Sequence, residues 1–206
     1  MQFLWCITVT TCIGIGFKLF GRFKINTFNA IVINYTVCLI LGTLIGKESG
    51  WPFSGAILQA KWFSFDVILG LMFIVGFNLT ANSIQQAGIT MTTLIQRMSI
   101  ILTVSFTVLL FHEHFGWLEL CGLLLALMAI IAINQKTSSL SLKLSGPLPL
   151  ILMAVLVISA AIEILLYYVE KTGLVGNDQM AFTTHGFGCA AIFGWVSLAW
   201  LAFKRK

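Results

Sequence analysis

Two ionisable side chains stand deep inside long apolar stretches: Arg97 and Glu163. A charge held at the middle of hydrocarbon costs roughly 2.5–3.5 kcal/mol or more, so such residues are functional candidates by default. Taking each apolar stretch as a helix with a rise of about 1.5 Å per residue, Arg97 lies about 4.5 Å and Glu163 about 7 Å from the middle of its stretch. Glu163 suits a coupling carboxylate that a proton and a substrate occupy in turn. Its bland alternative is a structural carboxylate bonded to a neighbouring helix. Arg97 suits a docking charge for an anionic group, because guanidinium pairs with carboxylate through two parallel bonds. Its alternatives are an internal ion pair with Glu163 or a helix-packing role.

Neutral polar residues extend the pattern. Thr92, Gln96, Ser99, Thr103 and Thr107 recur at spacings of three and four, which draws one stripe along a helix. Asn78, Asn82 and Gln85 or Gln86 do the same one stretch earlier, and Asn34 with Tyr35 sits midway along another. In lipid such stripes must face protein or a watery cavity. They point to a polar central cavity for small hydrophilic or zwitterionic solutes, with interhelical hydrogen bonding as the plain alternative.

Other constellations fail on spacing. His112-Glu113-His114 puts its two histidines on different helix faces, unlike the His-Glu-x-x-His of membrane zinc proteases. His185 stands alone in its stretch and suits packing or hydrogen bonding better than ligation. Cys6, Cys12, Cys38, Cys121 and Cys189 show no metal-type spacing and read as small buried hydrophobes. No metal site, no cofactor and no nucleic-acid motif is expected. Asn78-Leu79-Thr80 is a glycosylation sequon inside a stretch, out of reach of modification.

The elements that must position these residues follow from composition. The 206-residue chain is 59% hydrophobic and 9% charged. Soluble domains carry about 25% charged residues, so the main solvent here is lipid. Seven stretches are long enough, at about 20 residues, to span the hydrocarbon core as helices. They run Gln2–Phe20, Thr27–Ile45, Trp62–Ser83, Ile89–Phe111, Gly116–Ile133, Leu148–Val169 and Met180–Phe203. The runs are continuous rather than alternating, which predicts an all-α polytopic membrane protein and not a barrel. The net charge of +5 comes from basic residues at the ends of these runs, where membrane anchors sit. Eight Lys and Arg fall in loops on one side of the membrane and three on the other, which by charge alone puts the N-terminus outside. Gly42 and Gly46 have helix-packing spacing, and Gly14 with Gly16 and Gly186 with Gly188 are places for a helix to bend.

After five stretches comes a polar linker, and then the pattern partly restarts. This predicts a five-helix repeat over residues 1–134, a linker over 135–147 and a partial second repeat over 148–206. An odd number of helices per repeat makes the second copy inverted.

The run Gln86-Ala87-Gly88-Ile89-Thr90 leads through Arg97-Met98-Ser99-Ile100-Ile101 to Leu109-Leu110-Phe111-His112-Glu113. Leu120-Cys121-Gly122-Leu123-Leu124-Leu125 and Ala132-Ile133-Asn134 follow. Together they resemble the EamA family of the drug/metabolite transporter superfamily: a fourth helix ending in an acidic residue, here Glu113, then a fifth opening on an apolar-Gly pair, here Cys121-Gly122. The run Ser159-Ala160-Ala161-Ile162-Glu163-Ile164 resembles the first helix of small multidrug resistance proteins, where a membrane carboxylate binds proton and cationic drug in turn. The resemblance implies ten helices in two repeats, so this chain reads as three helices short. It also implies a cytoplasmic N-terminus, opposite to the charge count.

The function expected is a secondary transporter in a cell membrane, the inner membrane of a bacterium. It would export or exchange small metabolites by alternating access around the polar cavity. Its partners would be a small-molecule substrate and membrane lipid, with a homodimer or another chain supplying the missing helices. The alternatives are a flippase for lipid-linked sugars or headgroups, using Arg97 to bind an anion, and a truncated subunit that transports nothing.

Overall fold

The computed structural model describes residues 2–45, 59–111, 116–118, 121–122, 124–125, 128, 147–176 and 178–204. Six long helices make up most of them: α1 (Gln2–Arg22), α2 (Thr27–Ile45), α3 (Phe63–Ala87), α4 (Ile89–Phe111), α5 (Leu148–Lys171) and α6 (Gln179–Lys204). α2 to α6 are each long and apolar enough to cross a membrane. α1 carries Gln2, Thr8, Thr10, Thr11, Lys18 and Arg22 and is the least apolar of the six.

The helices follow the apolar stretches closely. α2 and α4 match the expected spans end to end, and α5 and α6 are longer by a residue or two at their ends. α3 runs four residues past the expected Ser83, through Ile84, Gln85, Gln86 and Ala87. Two glutamines end an apolar count, but they do not end a helix. The stop is Gly88, whose φ of +87° lies in the left-handed region that a side chain disfavours. Its amide still donates to Ile84 O, and its carbonyl accepts from Thr92 N at 3.2 Å, so one residue closes α3 and opens α4. Of the expected fifth span, Gly116 is described outside a helix and Trp117, Leu118, Cys121, Gly122, Leu124, Leu125 and Met128 are helical; the rest of it, the linker as far as Gly146 and His112-Glu113-His114 lie outside the described residues.

Local sequence explains the other turns. Asn26 caps α2 by accepting from Phe28 N at 3.1 Å through its side chain. After α5, Gly173 takes φ +63° and its amide bonds back to Glu170 O.

The chain divides into two compact units, neither continuous in sequence. Unit 1 is Met1–Leu19 with Leu79–Ile164, and unit 2 is Phe20–Asn78 with Leu165–Lys206. Unit 1 holds the tight α3–α4 corner, and Gly14 of α1 lies against Ile89, where an added Cβ would come within 3.3 Å. Unit 2 is packed more tightly. A Cβ on Gly194 of α6 would meet Val32 of α2 at 2.5 Å, and one on Gly42 of α2 would meet Thr184 of α6 at 2.5 Å. Small residues thus let α2 and α6 approach closely, which is how helices associate where lipid removes the hydrophobic drive between them. Around this contact Tyr35 stacks on Phe73, packs tilted against Phe187 and meets Phe77 edge-on. Outward faces stay apolar: Ile33, Val37, Ile40 and Leu44 on α2 and Ile192, Trp195, Val196 and Trp200 on α6 are exposed.

Candidate functional site

In unit 1 the α4 stripe turns inward. Thr92, Ser99 and Thr107 are buried, and Gln96 and Thr103 are half-buried. Two short bonds tie the stripe to the end of α3: Ser83 Oγ and Thr92 Oγ1 lie 2.8 Å apart, and Gln96 Nε2 donates to Thr80 Oγ1 at 3.1 Å. The stripe ends on a carboxylate. Ser99 Oγ donates to Glu163 Oε1 at 3.0 Å, and Thr103 Oγ1 donates to Glu163 Oε2 at 2.7 Å. The spacing of four between Ser99 and Thr103 puts both hydroxyls on one face of α4, one per carboxylate oxygen.

Each hydroxyl has a second acceptor within its own helix. Ser99 Oγ also lies 2.5 Å from Gln96 O, and Thr103 Oγ1 lies 3.1 Å from Ser99 O. A hydroxyl has a single proton, so it bonds either the carboxylate or the carbonyl at any moment. Glu163 therefore sits among donors that can turn away from it without being stranded.

The other expected site residues are placed differently. Arg97 is exposed on α4 and, among the described residues, forms no ion pair with Glu163. Asn82 is exposed and accepts from Gln86 Nε2 at 2.8 Å within α3. Gln85 is exposed, and Asn78 is half-buried in unit 2. Asn34 is exposed, whereas its neighbour Tyr35 is buried and donates to Phe73 O at 3.0 Å, a packing role in the aromatic cluster. The residues expected around one site thus divide between the two units, with Asn34, Tyr35 and Asn78 in unit 2 and the others in unit 1.

Unit 2 contains a group that sequence reasoning missed. Asp66 of α3 is bonded to His185 Nδ1 of α6, and Cys189 Sγ lies 3.6 Å from the same nitrogen. All three residues are buried. Trp62 and Phe63 pack on the imidazole at 5.9 and 5.3 Å between ring centres. Asp66 lies three residues into its helix and reads in sequence as an acid at a helix start, so its burial gave no signal. The spacing of four between His185 and Cys189 was visible. The third member, 119 residues from His185, was not.

A separate cavity of about 390 Å³ lies in unit 2, lined in part by Leu166, Val169, Glu170, Gln179, Phe182 and Thr183. It includes none of the residues expected from sequence.

The model of the EamA-like transporter family matches residues 1–135. The chain belongs to that family. No curated protein and no solved structure matches it. EamA-like proteins are membrane transporters of the drug/metabolite type, a transporter family and not an enzymatic one. With five helices long and apolar enough to span, this EamA-like chain is a multi-pass membrane protein. The family match takes in all of the α4 stripe, and Glu163 lies beyond it.

Proposed function

We propose that this chain is a secondary transporter that exports or exchanges small metabolites by alternating access, with Glu163 as the coupling carboxylate. A cell membrane of the bacterial inner-membrane kind is the setting this reading favours. The observation that carries it is the pair of bonds from Ser99 and Thr103 to the two oxygens of Glu163.

The chemistry follows from counting protons. With Glu163 ionised, both hydroxyls donate to it, and bonds to a charged acceptor are the strong ones. When a proton arrives, the carboxyl gains a donor of its own and needs fewer from α4. Ser99 and Thr103 then turn to the carbonyls of Gln96 and Ser99, already within reach. A substrate ammonium displaces the hydroxyl protons in the same way. In both charge states the two hydroxyls keep an acceptor, so changing the charge does not strand them in an apolar setting. The Gln96–Thr80 and Ser83–Thr92 bonds hold α4 against α3 while this exchange occurs.

The test is flux in liposomes loaded with a pH-sensitive dye, under an imposed proton gradient, against a panel of zwitterionic and cationic metabolites. Wild-type protein is expected to move protons with one class of solute, and Glu163→Gln to lose that coupling. Equal coupled flux in both proteins would remove Glu163 from the mechanism. No solute-dependent flux in either would overturn the transport reading itself.

A further inference from the structure

Asp66, His185 and Cys189 take no part in the chemistry of Glu163, yet they gather three electron-pair donors in the interior of unit 2. A carboxylate oxygen, an imidazole nitrogen and a thiol sulfur all lie within 4.8 Å of one another. Their arrangement is not that of a nucleophilic relay. A relay places the acid on one ring nitrogen and the nucleophile on the other. Here Asp66 Oδ2 and Cys189 Sγ both approach Nδ1 of His185. One nitrogen carries at most one proton and cannot serve both neighbours well. Asp66 Oδ1, meanwhile, is buried with no hydrogen-bond partner. A buried acceptor left unmatched is costly and calls for an explanation.

We propose that Asp66, His185 and Cys189 bind a divalent transition-metal ion of the zinc class, leaving one coordination position for a further ligand. A cation resolves both anomalies, because converging lone pairs that compete for one proton become ligands to one ion. Two ligand atoms on a tetrahedral zinc lie about 3.3–3.8 Å apart, given metal–ligand bonds of about 2.0–2.3 Å. Nδ1 and Sγ have that separation, at 3.6 Å, whereas Asp66 Oδ2 lies closer to Nδ1 than two ligands of one ion and must draw back as the ion enters. Mixed oxygen, nitrogen and sulfur donors suit zinc and cobalt better than magnesium or calcium, which take oxygen. Three protein ligands in place of four are the mark of a site with an exchangeable position. On binding, the ion displaces the proton shared by Asp66 and His185 and the proton of the Cys189 thiol, because ligands must be deprotonated.

The backbone is built for this convergence. His185 and Cys189, four residues apart, share one face of α6. An added Cβ on Gly70 would lie 2.5 Å from Cys189 Cβ, and one on Gly186 would lie 2.7 Å from Asp66 Oδ1. These two glycines let α3 and α6 come close enough for the short side chain of Asp66 to reach the imidazole. Trp62 and Phe63 pack on the His185 ring, and Phe182 meets Trp62 edge-on behind it. None of this rests on the role of Glu163.

The test uses the whole 206-residue chain, purified in detergent, stripped with a chelator and titrated with Co²⁺ and then Zn²⁺. The expected result is one ion per chain and a thiolate-to-cobalt charge-transfer band, bleached by Zn²⁺. Cys189→Ser should lose the band and Cys38→Ser should keep it. Asp66→Asn and His185→Gln should each weaken Zn²⁺ binding roughly tenfold or more, at least what loss of a mere supporting group costs. Zn²⁺ should also raise the melting temperature of wild-type protein and of Cys38→Ser but not of Cys189→Ser, with size-exclusion profiles showing that each variant is folded. No band with excess Co²⁺ in folded wild-type protein would overturn the proposal. So would a band that survives in Cys189→Ser, since another thiol would then be the ligand.

Discussion

Glu163 and Asp66 are both acids in apolar helices, and the protein treats them in opposite ways. Glu163, in unit 1, is half-buried and faces two hydroxyls that each have an alternative acceptor. Asp66, in unit 2, is fully buried, bonded to a histidine, and keeps one oxygen with no partner. Around Glu163 the polar groups can rearrange at little cost. Around Asp66 they cannot, because Gly70 and Gly186 let two helices draw together and Trp62 and Phe63 pack on the His185 ring. An acid among switchable donors suits a changing charge. An acid locked against a ring nitrogen, with a thiol beside that same nitrogen, suits a fixed ligand set. Carrying a carboxylate in a span therefore says little until its neighbours are known.

The contrast can be broken by substitution. The largest effect is expected at His185. Removing one partner of a buried pair leaves an uncompensated group, and His185→Leu should cost about 3–5 kcal/mol of stability. The double variant Asp66→Leu, His185→Leu should recover much of that loss, since an apolar pair strands nothing. Glu163→Gln should be far milder in the same unfolding measurement, because an amide still accepts from one hydroxyl. Equal losses at the two sites would erase the distinction.

Glycines sharpen the comparison next. Gly194→Ala in unit 2 drives a methyl to 2.5 Å from Val32 Cγ2, and overpacking of this kind costs about 1–3 kcal/mol. Gly16→Ala in unit 1 meets nothing within 4 Å and gains helix propensity of up to about 1 kcal/mol. Thermal unfolding in detergent should move in opposite directions for the two. Thr103→Val comes next: interhelical bonds in membranes are worth about 0.6 kcal/mol on average and about 1.7 at most. Its stability loss should be that small, while proton-coupled flux should fall. Asn82→Ala removes an exposed bond within one helix and should change stability by less than about 0.5 kcal/mol.

Periodicity carried much of unit 1. Thr92, Gln96, Ser99, Thr103 and Thr107 were visible as one inward stripe because a helical face is a local property of sequence. Glu163 was visible because a charge amid apolar residues stands out without any partner. The end of α3 was misjudged because a count of apolar residues measures hydrophobicity, whereas a helix stops where the backbone does, at Gly88. Tyr35 was grouped with Asn34 as a midspan polar pair, but adjacent residues on a helix point different ways, and Tyr35 went to the aromatic core. Asp66 escaped notice because an acid near a helix start is ordinarily solvated or favourable to the helix dipole.

Composition, hydropathy and helical spacing are additive along the chain. They were enough to determine that lipid is the main solvent, approximately where α1 to α6 run, and which face of α4 is polar. The partners of each polar group are not additive. They depend on which helices approach, how closely, and at what height, and small residues such as Gly70, Gly186 and Gly194 set that approach without announcing what they bring together. Only the tertiary structure decided that Glu163 meets Ser99 and Thr103, and that Asp66 crosses 119 residues of sequence to meet His185 beside Cys189.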